Sequence, residues 1–378
     1  MMERRKNLND KFGFVEIMEY TSIGESCSVV SGGTPSRSKN EYWENGNIPW
    51  IKIGNIKSKY VNEYDELITE QGLNNSSAKL LKKGTILYTI FATLGEVAIL
   101  DIEACTNQAI AGINITNPRI TTDYLYYYLK SKKDYVNNIG RGVAQNNINL
   151  TTLKNFEIPL IDVDKQLNIV EILEKVERMI CLKEKEIDDL DLLIKARFIE
   201  MFGDPVLNER KFPTLSGADF FKLSNGRAVP DEKRIETGIP AYGGNGISWY
   251  TDEFLMAEDT IVVGRVGFQS GNVHCVIGPL WITDNAMYIS QYDKDKFNLR
   301  FLCELMQHVN FSRFQDAGDL KKITQKPFMT FKYILPSMDL QQKFVNFKIE
   351  VDKSREEVKK SLEKTQQLYD SLMQEYFG

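Results

Sequence analysis

Two long stretches of the chain place apolar residues at alternating steps of three and four. In the first, Leu173, Val176, Ile180, Ile187, Leu190, Ile194 and Met201 form a stripe broken only at Lys183 and Arg197. A shift of 175 residues gives a second stripe: Val351, Leu362, Tyr369, Leu372 and Tyr376, with Lys348, Arg355 and Thr365 as its weaker points. Asp162/Asp164 and Ser337/Asp339 offer N-caps, Pro159 and Pro336 close the preceding strands, and neither Gly nor Pro intervenes before Gly203 or Gly378. The spacing predicts two helices of roughly 38 residues, about 57 Å long at ~1.5 Å per residue. A helix of that length outruns the surface of one small domain, which disfavours the simpler picture of an amphipathic helix lying on its own domain. Two similar helices of equal length in one chain pair most simply antiparallel, as a coiled coil, through these stripes.

Ahead of each helix the pattern changes to short β-rich runs between Gly, Asn and Pro turns. Ile86-Leu87-Tyr88, Val97 to Leu100 and Thr260 to Val263 read as strands; Tyr124 to Leu129 and Phe301 to Met306 read as one helix each. The strings recur in order. NIPWIKIGNI (47–56) is matched by GIPAYGGNGI (238–247), CTNQAIAGINI (105–115) by WITDNAMYI (281–289), and INLTTLKNFEIPLIDVDKQ (148–166) by ITQKPFMTFKYILPSMDLQQ (323–342). The offset is 191 residues at the Ile-Pro pairs and 175 at Gln166 and Gln341, so one scaffold occurs twice with divergent insertions. The expected fold class is α+β: two repeated globular domains, 1–163 and 203–338, joined by two long helices, 164–202 and 339–378.

Composition adds little. Hydrophobic residues make up 42% and charged residues 26% of 378, which suits a globular chain. No apolar run reaches the length of a membrane span, and no apolar stretch follows the basic residues near Met1, so the expectation is a cytoplasmic protein. Five scattered cysteines without a C-x-x-C pair read as free thiols. The net charge of −5 conceals near-neutral domains. Residues 1–163 carry 18 basic and 18 acidic side chains, and 203–338 carry 15 and 16. Charge therefore neither supports nor excludes a polyanionic partner, which needs only a local basic surface.

No catalytic constellation emerges. His274 and His308 are the only histidines, and neither lies in a nucleophile motif. Cys303 with His308, and Cys275 beside His274, have poor spacing for zinc and read as packing residues. There is no Walker A string and no Asn-Pro-Pro-aromatic tetrapeptide; Gly32-Gly33 and Gly243-Gly244-Asn245-Gly246 read as tight turns. What the repeats do carry is polar loop chemistry. Lys52, Asn55, Lys57 and Lys59 follow the first Ile-Pro strand, and Arg141, Gln145 and Asn146 cluster in GRGVAQNNIN. The second repeat has Arg227 and Asn245 around its Ile-Pro strand, Arg265 in GRVG, and Arg313, Lys321 and Lys322 before its helix. Arg suits guanine, Asn and Gln suit adenine, and Lys suits phosphate. Solvated loops carry the same residue types, so the inference rests on the clusters rather than on any one side chain.

These strings resemble the specificity subunits of type I restriction–modification systems. SGGTPSRSKNEYWENGNIPWIKIGNI (31–56) resembles the opening of a target-recognition domain, and YGGNGISWYTDE with TIVVGRVG and PLWITDNAMYI resembles another version of it. Gly142, Gln145 and Ile148, followed by Pro159 and Gln166, resemble the junction into the family's helix. The second repeat keeps Gly318 and Ile323 there but has Lys321 at the glutamine position. The resemblance implies that each domain reads one half of a bipartite, asymmetric site on double-stranded DNA while the helices set the unread gap and dock two methyltransferase subunits. It implies no active site in this chain. S-adenosylmethionine belongs to the methyltransferase partner, and ATP and Mg to restriction subunits that join the full complex. A type IIB-like or orphan specificity subunit fits the same strings, and a coiled-coil scaffold with protein-binding heads is the rival from another class.

Overall fold

The computed structural model describes residues 19–140, 147–228, 230–316, 318 and 321–378. The chain folds into two compact units: unit 1 comprises Met1–Leu182 and Leu362–Gly378, and unit 2 comprises Lys183–Ser361. The fold is α+β, with a repeated domain and two long helices.

Unit 1 contains strands β1 (Glu19–Ser22), β2 (Cys27–Ser31), β3 (Ile48–Ile51), β4 (Tyr60–Val61) and β5 (Glu66–Ile68). They are followed by β6 (Ile86–Thr89), β7 (Val97–Leu100), β8 (Cys105–Thr106), β9 (Ile110–Ile115) and β10 (Glu157–Leu160). Its helices are α1 (Ile23–Ser26), α2 (Glu70–Asn74), α3 (Thr122–Ser131), α4 (Lys133–Gly140) and α5 (Leu150–Lys154), followed by the start of α6 (Val163–Phe202). The strands form a five-stranded sheet, β2-β9-β6-β7-β4, a three-stranded sheet, β5-β3-β8, and the pair β1-β10.

Unit 2 contains β11 (Thr214–Ser216), β12 (Phe221–Asn225), β13 (Ile239–Gly243), β14 (Gly246–Thr251) and β15 (Thr260–Gly264). After them come β16 (Val273–Val276), β17 (Trp281–Ile282), β18 (Ala286–Tyr292) and β19 (Lys332–Ile334). Its helices are α7 (Leu299–Val309), α8 (Lys326–Thr330) and most of α9 (Met338–Phe377). The sheets are β12-β18-β15-β16, β14-β13-β17 and β11-β19. Removing the short edge strand β4 from unit 1 leaves the same strand order in both units. Even the unusual detail agrees, since β3 pairs parallel with β8 and β13 pairs parallel with β17.

The central strands explain why their sequences are continuously apolar rather than alternating. Ile86 and Tyr88 of β6 enter the main core of unit 1 while Leu87, between them, enters a second core on the other face. Val262 of β15 is separated in the same way from Ile261 and Val263. A strand buried on both faces has no polar side to show. Helix α3 is buried along Tyr124 to Leu129, and three of its tyrosines, Tyr124, Tyr127 and Tyr128, donate hydrogen bonds through their hydroxyls. The Tyr124 hydroxyl donates to the Pro159 carbonyl at 3.1 Å and the Tyr128 hydroxyl to the Glu157 carbonyl at 2.8 Å, so apolar area is buried without stranding an O–H. Pro159 itself lies inside β10, opposite Tyr20, rather than after the strand. A two-stranded pair tolerates a residue that cannot donate to a ladder.

The long helices are 40 residues each. Within unit 1, Leu173, Val176 and Tyr369 are core residues, with Ile180 and Leu372 packed against them. Within unit 2, Ile194 and Val351 are core residues, with Leu190 packed against them. Ile187 and Leu362 are half-buried. The breaks in the apolar stripes carry polar contacts between the two helices. In unit 2, Lys183 Nζ donates to Ser361 Oγ at 2.6 Å, and the Arg355 guanidinium pairs with Asp191 of α6 and, within α9, with Asp352. In unit 1, the Tyr369 hydroxyl donates to Glu177 at 2.8 Å. Within unit 2, residue numbers rise on α6 from 183 to 191 as they fall on α9 from 361 to 355, which is an antiparallel register. Among the described residues, no helix is long and apolar enough to cross a membrane.

Candidate nucleic-acid interface

The polar loops of unit 2 converge because the backbone makes them. Arg227 N–H donates to the Ile282 carbonyl at 2.8 Å, Arg265 N–H to the Asn285 carbonyl at 2.9 Å, and Ile323 N–H to the Arg265 carbonyl at 3.0 Å. Lys322 bridges to Val266, and Gly267 N–H donates to the Lys321 carbonyl at 2.8 Å. Segments far apart in sequence are thereby tied around the turn that joins β15 to β16. Arg227, Asn245, Arg313, Lys321 and Lys322 are exposed there, and Arg265 is half-buried. A groove of about 350 Å³ runs past Asn245, Ser248, Phe268, Gln269 and Asn285. Its walls offer amide and hydroxyl groups, which both donate and accept hydrogen bonds. Lys321 and Lys322 supply positive charge beside it, with Asp284 and Asp316 also exposed in the neighbourhood.

Unit 1 builds the same crossing. Gly33 N–H donates to the Thr106 carbonyl, Ile90 N–H to the Ala109 carbonyl, and Ile148 N–H to the Ile90 carbonyl. The pair Phe91 and Asn147 bridge as Val266 and Lys322 do. Gly32 and Gly226 occupy equivalent points, and each is required by close approach. A Cβ on Gly32 would lie 2.2 Å from the Asn107 carbonyl oxygen, and one on Gly226 would lie 2.0 Å from that of Thr283. An indole N–H also reaches the same carbonyl in both units, but from different strands. Trp50 of β3 donates to Gly33 O at 2.9 Å, whereas Trp281 of β17 donates to Arg227 O at 2.8 Å. The bond is kept while its donor has moved to the neighbouring strand.

The loop after β3 is less open than its sequence suggests. Lys52 Nζ lies 2.6 Å from Glu66 and 3.6 Å from Asp65. Asn55 is buried, accepting from Lys52 N–H at 2.9 Å and donating to Asp65 at 3.1 Å. Arg37 pairs with Glu66 and, together with Lys52, holds that carboxyl below its ordinary range. Lys59 bridges Asp123 and Glu174, while Lys57 is exposed. Arg141, Gln145 and Asn146 lie outside the described residues, as does Gly142.

Sequence reasoning passed over Arg37, Phe91 and Phe268. Arg37 sits 3.6 Å above the Trp43 ring, a stacking no spacing rule reveals. Phe91 was hidden at the end of an apolar run, but β6 stops at Thr89 and the chain turns, with Ala92 at φ 60°. Phe268 had a legible signal, a lone aromatic in a glycine-rich turn. Elsewhere, burial raises the thiols of Cys27 to about 12 and Cys105 to about 11, and all five cysteines are unpaired. Among the described residues, no three His, Cys, Asp or Glu side chains gather to hold a metal ion.

Residues 16–192 match the sequence model of the type I restriction modification DNA specificity domain. The MjaIX type I restriction enzyme specificity subunit of Methanocaldococcus jannaschii is 33% identical over 201 residues, covering 51% of this chain and 45% of that protein. This chain thus spans about half the length of that relative. The EcoprrI type I specificity subunit of Escherichia coli is 23% identical over 345 residues, covering 86% and 85%. The crystal structure of the type I restriction–modification S subunit from M. genitalium superposes with a TM-score of 0.60 at 18% identity, covering 100% of this chain and 99% of that one. A chain from a structural study of type I complex assembly and conformational transition gives 0.64 at 14% identity, covering 95% and 97%. With the doubled α+β unit, the paired helices and the matched domain agreeing, the chain is similar to the type I restriction–modification specificity subunits, in sequence across residues 16–192 and in fold over nearly its whole length.

Proposed function

We propose that this chain reads a bipartite, asymmetric site on double-stranded DNA, one half through each unit, and presents the site to adenine methyltransferase subunits. The observation that carries the proposal is a repeated backbone with unlike side chains on it. Two units share their strand order and the crossing at Gly32 and Gly226, yet where unit 1 has Gly33, Ile90 and Asn147, unit 2 has Arg227, Arg265 and Lys322. A common frame with differing polar contacts is what two different half-sites require.

Arg227, Asn245, Arg265 and Arg313 are the base-edge candidates of unit 2, and Lys321 and Lys322 the phosphate candidates. In unit 1, Lys57 is the open basic side chain of the loop after β3, and Arg141, Gln145 and Asn146 remain candidates on sequence grounds. The pseudo-repeated helices present similar faces to two identical partners, so one asymmetric chain docks two methyltransferase subunits. Those partners bring S-adenosylmethionine and the chemistry. Restriction subunits, with ATP and Mg, complete the assembly, and this chain contributes recognition without catalysis.

Co-expression with the neighbouring methyltransferase subunits, followed by single-molecule sequencing of methylated adenines, tests the proposal. A bipartite motif that vanishes when the gene is deleted supports it. A stable complex that methylates no interrupted motif would refute it.

A further inference from the structure

The turn joining β15 to β16, residues 265–272, carries Phe268 at its tip. The residue is 80% exposed, more than any other large hydrophobic residue among those described. The backbone beneath it is fixed. Gly264 N–H donates to the Asn272 carbonyl at 2.9 Å, Gly271 N–H to the Gly264 carbonyl at 2.8 Å, and Ser270 N–H to the Gly267 carbonyl at 3.0 Å. Gly267 is tied to Lys321, and Gln315 Nε2 donates to the Phe268 carbonyl at 3.3 Å. An anchored backbone under a solvated ring is a preorganised contact, because the ordering cost is met before a partner arrives.

The surroundings of the ring select the partner. Lys321 Nζ stands 5.2 Å from the ring centroid, and Asn245, Gln269 and Asn285 line the adjoining groove. An apolar protein surface would desolvate these groups without pairing them. A nucleobase offers a flat π-face to the ring and polar edges to the amides, and its phosphate suits the lysine.

Unit 1 supplies an independent observation. Its equivalent turn, between β6 and β7, presents Phe91 with 41% of the residue exposed, and the Phe91 backbone is held by its bridge to Asn147. Two divergent turns each keep one outward phenylalanine, although Phe91 aligns with Val266 and Phe268 lies two residues further on.

Resting on the DNA-reading function proposed above, we propose that Phe268 and Phe91 are stacking wedges, each entering one base step of its half-site. Part of the sequence preference then comes from how easily that step unstacks, in addition to hydrogen bonds at base edges.

The test uses the full chain in complex with its methyltransferase subunits, on duplexes carrying the mapped motif. The fluorescent base 2-aminopurine is placed at successive positions of the half-site read by unit 2. With the wild-type chain, fluorescence rises at one step on binding. Phe268→Ala abolishes that rise and weakens binding about ten-fold, Phe268→Trp retains both, and Phe91→Ala affects only the other half-site. Binding by the wild type with no position brightening, or equal brightening by Phe268→Ala, overturns the wedge and leaves DNA reading intact. No specific binding by the wild type overturns DNA reading and the wedge together.

Discussion

The side-chain amide of Gln166 donates to the backbone carbonyl of Arg119 at 2.6 Å, tying the start of α6 to the segment that leads into α3. The same nitrogen donates to the Ile161 carbonyl at 2.9 Å, and the amide oxygen accepts from Thr121 N–H at 2.9 Å. Gln341 repeats the clasp in unit 2, donating to the Lys296 and Pro336 carbonyls and accepting from Asn298 N–H. Both glutamines are fully buried. Replacing either by alanine strands buried backbone groups and is expected to cost about 1–3 kcal/mol. Glutamate should be worse, since a carboxylate has no donor for two carbonyls. Denaturant unfolding checks this; an alanine effect of only a few tenths of a kcal/mol would show that the clasp is dispensable.

Glu177 makes stability depend on pH. Burial alone would raise its carboxyl, but hydrogen bonds from Lys130, Tyr127 and Tyr369 outweigh it and hold the group below its ordinary value of 4.5. As pH falls, the unfolded chain takes up the proton first. The stabilisation is therefore complete above 4.5 and is lost as pH drops through the lower folded-state value. Unfolding of the wild type and Glu177→Gln between pH 7 and 3 should show a gap that closes at the acid end; a gap independent of pH would contradict this.

The two indole bonds differ in burial and should differ in worth. Trp50 is 3% exposed, whereas Trp281 is only half-buried and water can replace its bond. Trp50→Phe should cost roughly 1–3 kcal/mol through the stranded Gly33 carbonyl, and Trp281→Phe about 0.5 kcal/mol. Equal losses in thermal unfolding would mean that the shared acceptor does not matter.

Lys321 and Lys322 are expected to meet phosphates and Asn55 to serve the fold. Changing both lysines to alanine should weaken DNA binding at all sequences and reduce the slope of log affinity against log salt by about two. Asn55→Ala should lower the stability of unit 1 without altering the methylated motif. A changed motif from Asn55→Ala, or an unchanged salt slope from the lysine pair, would reverse the assignment.

Much of the fold was legible because it is written in periodicity. The steps of three and four from Leu173 to Ile194 and the apolar runs around Ile86 and Ile261 correspond to α6, β6 and β15. The offset of 175 that aligns Gln166 with Gln341 in sequence also aligns the hydrogen bonds each makes within its own unit. The candidate site was less legible, because exposure depends on partners brought from elsewhere. Nothing local to Lys52 or Asn55 announces that Asp65 and Glu66 fold back onto them. Nor does any string equate Trp50 with Trp281, since the alignment of their strands sets Trp50 against Ala241.

The most direct test exchanges one recognition segment. Residues 203–338 are replaced by the corresponding segment of a specificity subunit with a different target, and methylated adenines are mapped by single-molecule sequencing. The account predicts that one half of the interrupted motif changes to that of the donor, while the other half and the gap between them stay as they were. A motif altered in both halves, or unaltered in either, would contradict the claim that each unit reads its own half.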